Sequence, residues 1–329
     1  MIDILSDASW LNPQVDFLVF LQNIRMAHSD IFNKFFLSIT IFGEVWLPSL
    51  ICAIVYWCFS SRNGLYMFSL LSLNVLITHF LKLIAGVYRP WVLSNRVKPI
   101  ETALRFATSY SFPSGHSAMS SSVLGGLAFI LRKYKAAVAA VIILVLMIGF
   151  SRLWLGVHTP QDVIVGFSTG LILIFAGHYL INWAEQDKNR YLYILIAVNI
   201  LTIIGMIYIR YFNQYPMNYI DGKILVNPFS SMRNTVIFYG YALGLINGGM
   251  LCRRFFPFDA KNGGVKVRIA RGVVGALLLV YLLRGPAQYV LDNPLRWSVS
   301  FGLMFLFGIT ITAIYPLIFT AIEKKFCKE

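Results

Sequence analysis

The stretch that decides the fold is Ala136–Asp162, AAVAAVIILVLMIGFSRLWLGVHTPQD. Its first part, Ala136 to Phe150, carries no charge at all. With its flanks it approaches the roughly 20 apolar residues that a helix needs to cross a bilayer. An apolar helix at a membrane boundary ordinarily ends in Trp, Tyr or one basic anchor. This one ends on Arg152, His158 and Asp162, six and four residues apart. Thr159-Pro160-Gln161-Asp162 has the form of the next helix start, with Thr as cap, Pro first and an acid third. That form accounts for Asp162 but for neither Arg152 nor His158. His158 and Asp162 are about one helical turn apart, so the carboxylate can orient the imidazole. An oriented imidazole is what nucleophilic catalysis requires.

The rest of the chain has the same character. Its 329 residues are 58% hydrophobic and 13% charged, with a mean hydropathy of +0.69, whereas a soluble domain carries about 25% charged residues. The predicted fold is an all-α, polytopic transmembrane helical bundle of about nine spans. They fall near 37–59, 65–86, 115–132, 136–154, 161–183, 191–210, 235–252, 271–290 and 297–321. Backbone polar groups facing lipid must pair within their own segment, so each span is expected to be helical. An odd count places the chain ends on opposite sides. The loops on one side hold the larger share of Lys and Arg, led by Arg253, Arg254, Lys261, Lys266, Arg268 and Arg271 and ending with Lys324, Lys325 and Lys328. The positive-inside rule then places the C-terminus in the cytoplasm and the N-terminus outside. Both 87–114 and 155–160 fall on the outer face. The basic 253–271 loop is expected to face anionic lipid.

The formal charge of +14 therefore reads as membrane topology and not as nucleic-acid binding. Cys52, Cys58, Cys252 and Cys327 have no zinc-type spacing and read as small apolar fillers. Near the N-terminus, Pro13 opens a short segment in which Phe17, Phe20, Leu21 and Ile24 share a face, with Asp16 and Gln22 off it. That pattern predicts an amphipathic helix lying in the interface. The chain divides into an interfacial segment at 1–30, a core at 31–183 and a C-terminal extension of about four spans at 184–329.

Two more polar islands interrupt apolar helices on the expected outer side. In KLIAGVYRP, Lys82 and Arg89 are seven residues apart and share a helix face. A Lys within a span is either snorkelling to the interface or functional. In SFPSGHSAMS, Ser111 to Ser120, Ser114 and Gly115 open a helix whose N-terminus favours an anion, with His116 in its first turn. The plainer alternative is N-capping by Ser114 with an interfacial His116. Taken together, three cations, a helix start, two histidines and one acid at one membrane depth suit a phosphate. No carboxylate cluster offers itself to magnesium or calcium. His28, His79 and His178 match no motif position. Gly166 and Gly170 sit at GxxxG spacing and predict close helix packing within the fold.

The three islands, in order and with spacing intact, resemble the motif set of the type 2 phosphatidic acid phosphatase superfamily, shared with vanadium haloperoxidases. The resemblance covers roughly residues 30–183. It implies a metal-independent membrane phosphatase needing no cofactor. It implies His158 as nucleophile of a phosphohistidine intermediate, Asp162 as its orienting acid and His116 as proton donor to the leaving group. Lys82, Arg89, Ser114, Gly115 and Arg152 would hold the phosphoryl group. The implied partners are membrane lipids and a phosphorylated lipid or other phosphate ester. The expected location is a bacterial inner membrane, with the site facing outward. A nine-span layout is also similar to glucose-6-phosphatase in the same superfamily. That resemblance keeps a soluble sugar phosphate open as substrate, and phosphotransfer stays open as the reaction. Asp162 departs from it, standing where glucose-6-phosphatase has Gln.

Overall fold

The computed structural model of the chain describes residues 10–27, 30–104, 107, 109–215, 219–220, 223–293 and 295–326. His28, Cys327, Lys328 and the first nine residues of the N-terminal segment lie outside them. The described chain is helical nearly throughout. In order come α1 (Asn12–Ala27), α2 (Ile31–Thr40), α3 (Trp46–Ile54), α4 (Ser61–Ala85), α5 (Pro90–Leu93), α6 (Glu101–Leu104), α7 (Gly115–Met119) and α8 (Gly125–Ile130). Then follow α9 (Lys135–Trp154), α10 (Pro160–Gln186), α11 (Arg190–Ile207), α12 (Pro228–Phe255), α13 (Val265–Arg284), α14 (Pro286–Asp292), α15 (Trp297–Ile309) and α16 (Tyr315–Phe326). Single π turns join α7 to α8 at Ser120–Leu124 and α15 to α16 at Thr310–Ile314. Among the described residues the strands are a two-residue antiparallel ladder, Tyr219–Ile220 with Lys223–Ile224.

All nine expected spans coincide with helix. Two of them are broken, at Glu44–Val45 and at Gly285. Six helices among the described residues are long and apolar enough to cross a membrane: Ser61–Leu93, Lys135–Trp154, Pro160–Gln186, Arg190–Phe212, Pro228–Phe255 and Trp297–Lys325. A seventh arises if Ile31–Gly43 and Trp46–Phe59, bent by 53°, form one span. The others differ for physical reasons. The helical run from Gly115 to Ile130 is only about 24 Å long at 1.5 Å per residue, short of a roughly 30 Å hydrocarbon core. α13 carries Lys266, Arg268 and Arg271 in its first turns, and such charges are costly in lipid.

The chain forms two compact units, each assembled from separated stretches. The first comprises 1–44, 77–171 and 207–233. Two apolar clusters among its described residues help to hold it. Leu11, just before α1, and Val15 and Leu18 of α1 pack with Val97. Ala103, Ala107, Trp154, Leu155 and Val157 form the second, with Ile24, Phe36 and Trp91 against it. Phe17 and Phe20 are exposed, while Gln22 and Arg25 are buried. Gln22 earns its burial by accepting from Lys98 N at 2.6 Å and donating to Arg96 O at 3.3 Å. The GxxxG pair packs as expected: a Cβ on Gly166 would lie 2.7 Å from Ser114 O.

The second unit comprises 45–76, 172–206 and 234–329. Here α12 and α15 meet backbone to backbone, and a Cβ on Gly244 would lie 2.2 Å from Phe305 O. Small residues at such crossings allow the close approach that drives helix association in lipid. Asn199 and Asn247 exchange side-chain hydrogen bonds at 2.7 and 3.2 Å. Not all of the basic loop is free to face lipid. Arg253 pairs with Glu185 at 2.8 Å, and Arg271 pairs with Glu323 at 2.7 Å while also donating to Trp57 O and Ala260 O. Cys52, Cys58 and Cys252 are buried free thiols.

Candidate active site

The three islands converge within the first unit. α4 brings Lys82, whose Nζ donates to Tyr110 O at 2.9 Å and Ser111 O at 3.1 Å. Arg89 follows just before α5. Its Nε donates to Ser109 O at 2.9 Å and its Nη1 to Val157 O at 2.9 Å. Ser114 caps α7, accepting from Ser117 N at 3.4 Å and Ser117 Oγ at 2.9 Å. The capping alternative for Ser114 is therefore correct as far as it goes. The Ser114 backbone N–H donates to Asp162 O at 2.9 Å, tying the second island to the third. Gly115 faces Lys82: a Cβ there would lie 3.9 Å from Lys82 Cε.

The third island is a turn with caps at both ends. α9 stops in a Schellman arrangement: Val157 N bonds Arg152 O at 3.1 Å and Gly156 N bonds Leu153 O at 3.0 Å. Gly156 has φ +72°, the left-handed conformation such a stop needs. The chain is thereby turned so that Leu155 and Val157 enter the apolar cluster and His158 faces the other way, toward Arg89. α10 then begins with a reciprocal capping box. Thr159 N donates to Asp162 Oδ2 at 2.8 Å, and Asp162 N donates to Thr159 Oγ1 at 3.3 Å.

His158 lies between a carboxylate and a guanidinium. Its Nδ1 is 3.2 Å from Asp162 Oδ2, and its Nε2 is 2.8 Å from Arg89 Nη1. A guanidinium only donates, so Nε2 is the acceptor and the ring proton sits on Nδ1, toward the carboxylate. Burial, then the charges of Arg89, Lys82 and Arg152, hold the His158 imidazole well below its ordinary range. In this tautomer the Nε2 lone pair points at Arg89 Nη1.

Lys82, Arg89, Arg152, His158 and Asp162 are each less than a tenth exposed. Of the three buried cations, Lys82 and Arg89 lie in electrostatic reach of the buried Asp162 carboxylate, and Arg152 in that of the half-buried Glu44. Buried charge of one sign is expensive unless neutralised, so the cluster favours an anion. Arg152 Nε and His116 Nε2 are buried and make no hydrogen bond among the described residues.

Three contributors carry no signal in the spacing of the islands. Ser111 Oγ donates to Asp162 Oδ2 at 2.6 Å and lies 3.3 Å from His158 Nδ1. Thr40, at the end of α2, accepts from Arg152 Nη1 at 2.6 Å. Gly43 lets its segment lie against His116, where a Cβ would come within 2.9 Å of the His116 Cβ and Cδ2. Ser111 is the first residue of the second island, but no motif spacing singles it out. Thr40 and Gly43 sit far away in sequence.

A family model for the PAP2 superfamily matches residues 63–186, which include every island residue. A second, for the PAP2 superfamily phosphatase transmembrane extension, matches residues 236–325. The chain belongs to the PAP2 superfamily. Within that superfamily it is similar to phosphatidylglycerophosphatase B of Bacillus subtilis (strain 168), at 36% identity over 102 residues, 29% of this chain and 49% of the relative. It is also similar to undecaprenyl-diphosphatase of Sulfolobus acidocaldarius, at 28% identity over 110 residues, 32% of this chain and 52% of the relative. The chain spans about half the length of these curated relatives. No solved structure gives a significant match. For a PAP2 chain, the apolar helices and the transmembrane-extension match make this a multi-pass membrane protein.

Proposed function

We propose that this PAP2 protein is an integral membrane phosphatase that hydrolyses a lipid phosphomonoester or pyrophosphate through a phosphohistidine. The observation that carries the proposal is the seating of His158 between Asp162 and Arg89 beside Lys82 and Arg152. In this scheme Asp162 accepts the Nδ1–H hydrogen bond and His158 Nε2 attacks phosphorus. Arg89 swings from Nε2 to a phosphoryl oxygen, joining Lys82, Arg152, Ser114 and the N–H groups around Gly115. These donors stabilise charge building on the equatorial oxygens. His116 Nε2 gives its proton to the leaving oxygen as the P–O bond breaks, and the phosphate's negative charge favours that proton among the cations. Water then attacks the phosphohistidine, losing a proton to His116, and phosphate departs. Every step uses this chain's own side chains.

The substrate class follows from the setting. A site at the ends of membrane helices admits a headgroup while the tail stays in the bilayer. The names of the relatives point the same way, to phosphatidylglycerol phosphate and undecaprenyl diphosphate; phosphatidic acid and sphingoid phosphates share that chemistry. In the proposed topology nine spans place the N-terminus outside and the C-terminus in the cytoplasm. The site then opens on the outer face of a bacterial inner membrane. Residues 31–183 form the catalytic core, 1–30 an interfacial segment and 184–329 the extension. A second reading, hydrolysis of a soluble sugar phosphate, draws support from the extension beyond the core.

The test is phosphate release from a panel of lipid phosphates, lipid pyrophosphates and glucose 6-phosphate, using the full chain in detergent. Lipid substrates are expected to be preferred. His158→Ala should lower the rate by on the order of 10³-fold or more. A preference for the sugar phosphate would install the second reading. Release that is absent throughout, or equal in His158→Ala, would end both.

A further inference from the structure

The turn that carries His158 does not close all of its own polar groups, and α1 closes two that remain, one on each side of the histidine. A helix end leaves backbone carbonyls or N–H groups without partners inside the helix. At the end of α9, Leu155 N, Val157 N and Gly156 N serve the carbonyls of Ser151, Arg152 and Leu153. Trp154 O remains, and Arg25 Nη1 donates to it at 2.8 Å. Arg25 Nη2 also holds Lys98 O, beside Gly156. At the start of α10, Pro160 has no N–H, and Asp162 N and Val163 N go to Thr159. Gln161 N remains, and it donates to Gln14 Oε1 at 3.0 Å. Gln14 Nε2 returns a bond to Gln161 Oε1 at 3.3 Å.

Gln14 and Arg25 are eleven residues apart on α1, about three turns and roughly 16 Å. They share the face on which Leu18 and Leu21 are buried. One rigid helix therefore spans the turn and grips it on both sides of His158. α1 also precedes residues 63–186, so this grip lies outside the matched PAP2 core.

We infer that α1 is a clamp on the nucleophile turn, with Arg25 and Gln14 as positioning residues for His158 and Arg152. The inference rests on the proposed role of His158. Arg25→Met and Gln14→Leu keep side-chain bulk while removing the bonds. Phosphate release by the full chain is expected to fall in kcat by about 10- to 100-fold for the double variant, the scale of a misplaced reacting group. KM should change far less, and Arg25→Lys, which can still reach one carbonyl, should recover part of the loss. Asp16→Asn on the exposed side of α1 breaks only the surface pair with Arg96 and should leave kcat unchanged. Hydrogen–deuterium exchange over residues 151–163 supplies a readout that needs no substrate: exchange there should quicken in the double variant and not in Asp16→Asn. Unaltered exchange in a folded double variant overturns the clamp whatever the enzyme's activity. So does a kcat loss that Asp16→Asn reproduces. A wild-type chain that releases no phosphate refutes the proposed function instead, and leaves the exchange result to decide the clamp.

Discussion

Asp162 does more than orient a histidine. Its Oδ2 takes hydrogen bonds from Ser111 Oγ, Thr159 N and His158 Nδ1, so one oxygen fixes the turn and the tautomer together. In Asp162→Asn the carboxylate charge is lost, and a neutral amide oxygen in the place of Oδ2 binds the same three donors more weakly. A fall in kcat of about 10²- to 10⁴-fold is expected, read by phosphate release. A variant within a few-fold of wild type would contradict the role. The pH profile tests the same residue. His158 is held below its ordinary range by burial first and then by Arg89, Lys82 and Arg152, with Asp162 and His116 the other ionisable groups facing it. Attack needs the neutral ring, so the acid limb of the rate should lie below the ordinary histidine value of about 6.5. Removing a cation raises the histidine, and Arg89→Gln should move that limb toward higher pH even as the rate falls. A limb that stays in place would mean another group sets it.

The element that matters most is the turn between α9 and α10. Its two caps are local devices: the second, Thr159, Pro160 and Asp162, was read from the sequence, whereas the stop at Gly156 was seen only in the structure. Gly156 holds φ +72° with Pro99 Cα 3.2 Å from where a Cβ would stand. Gly156→Ala should cost about 1–2 kcal/mol from the left-handed backbone alone, more if Pro99 must shift. Because the same turn aims His158, kcat should fall with the melting temperature, and wild-type values of both would refute the assignment. α1 was less legible. Its apolar periodicity was visible, but which face turns inward depended on partners at Val97, Leu93 and Leu153. Those partners drew in Val15 and Leu18 and left Phe17 and Phe20 outside.

At the scale of the molecule, the two compact units do not follow the order of the chain, and each collects three separate stretches. The proposed orientation is testable with single cysteines in a background whose native cysteines are replaced. Arg96→Cys should react with an impermeant maleimide on intact cells, and Lys261→Cys only after permeabilisation; the reverse pattern would invert the topology. The sequence alone determined that the chain is helical and membrane-embedded, and that three ordered polar islands interrupt its apolar runs. It also marked the caps that start α7 and α10. Those features follow from composition and from bonds spanning a few residues, which local pattern records. Only the tertiary structure decided that Thr40 meets Arg152 across 112 positions, that Gln14 meets Gln161 across 147, and that Ser111 completes the acid's partners. Many hydroxyls and amides in the chain could satisfy a buried polar group equally well. Which one does is settled by packing, when every helix face finds its neighbour.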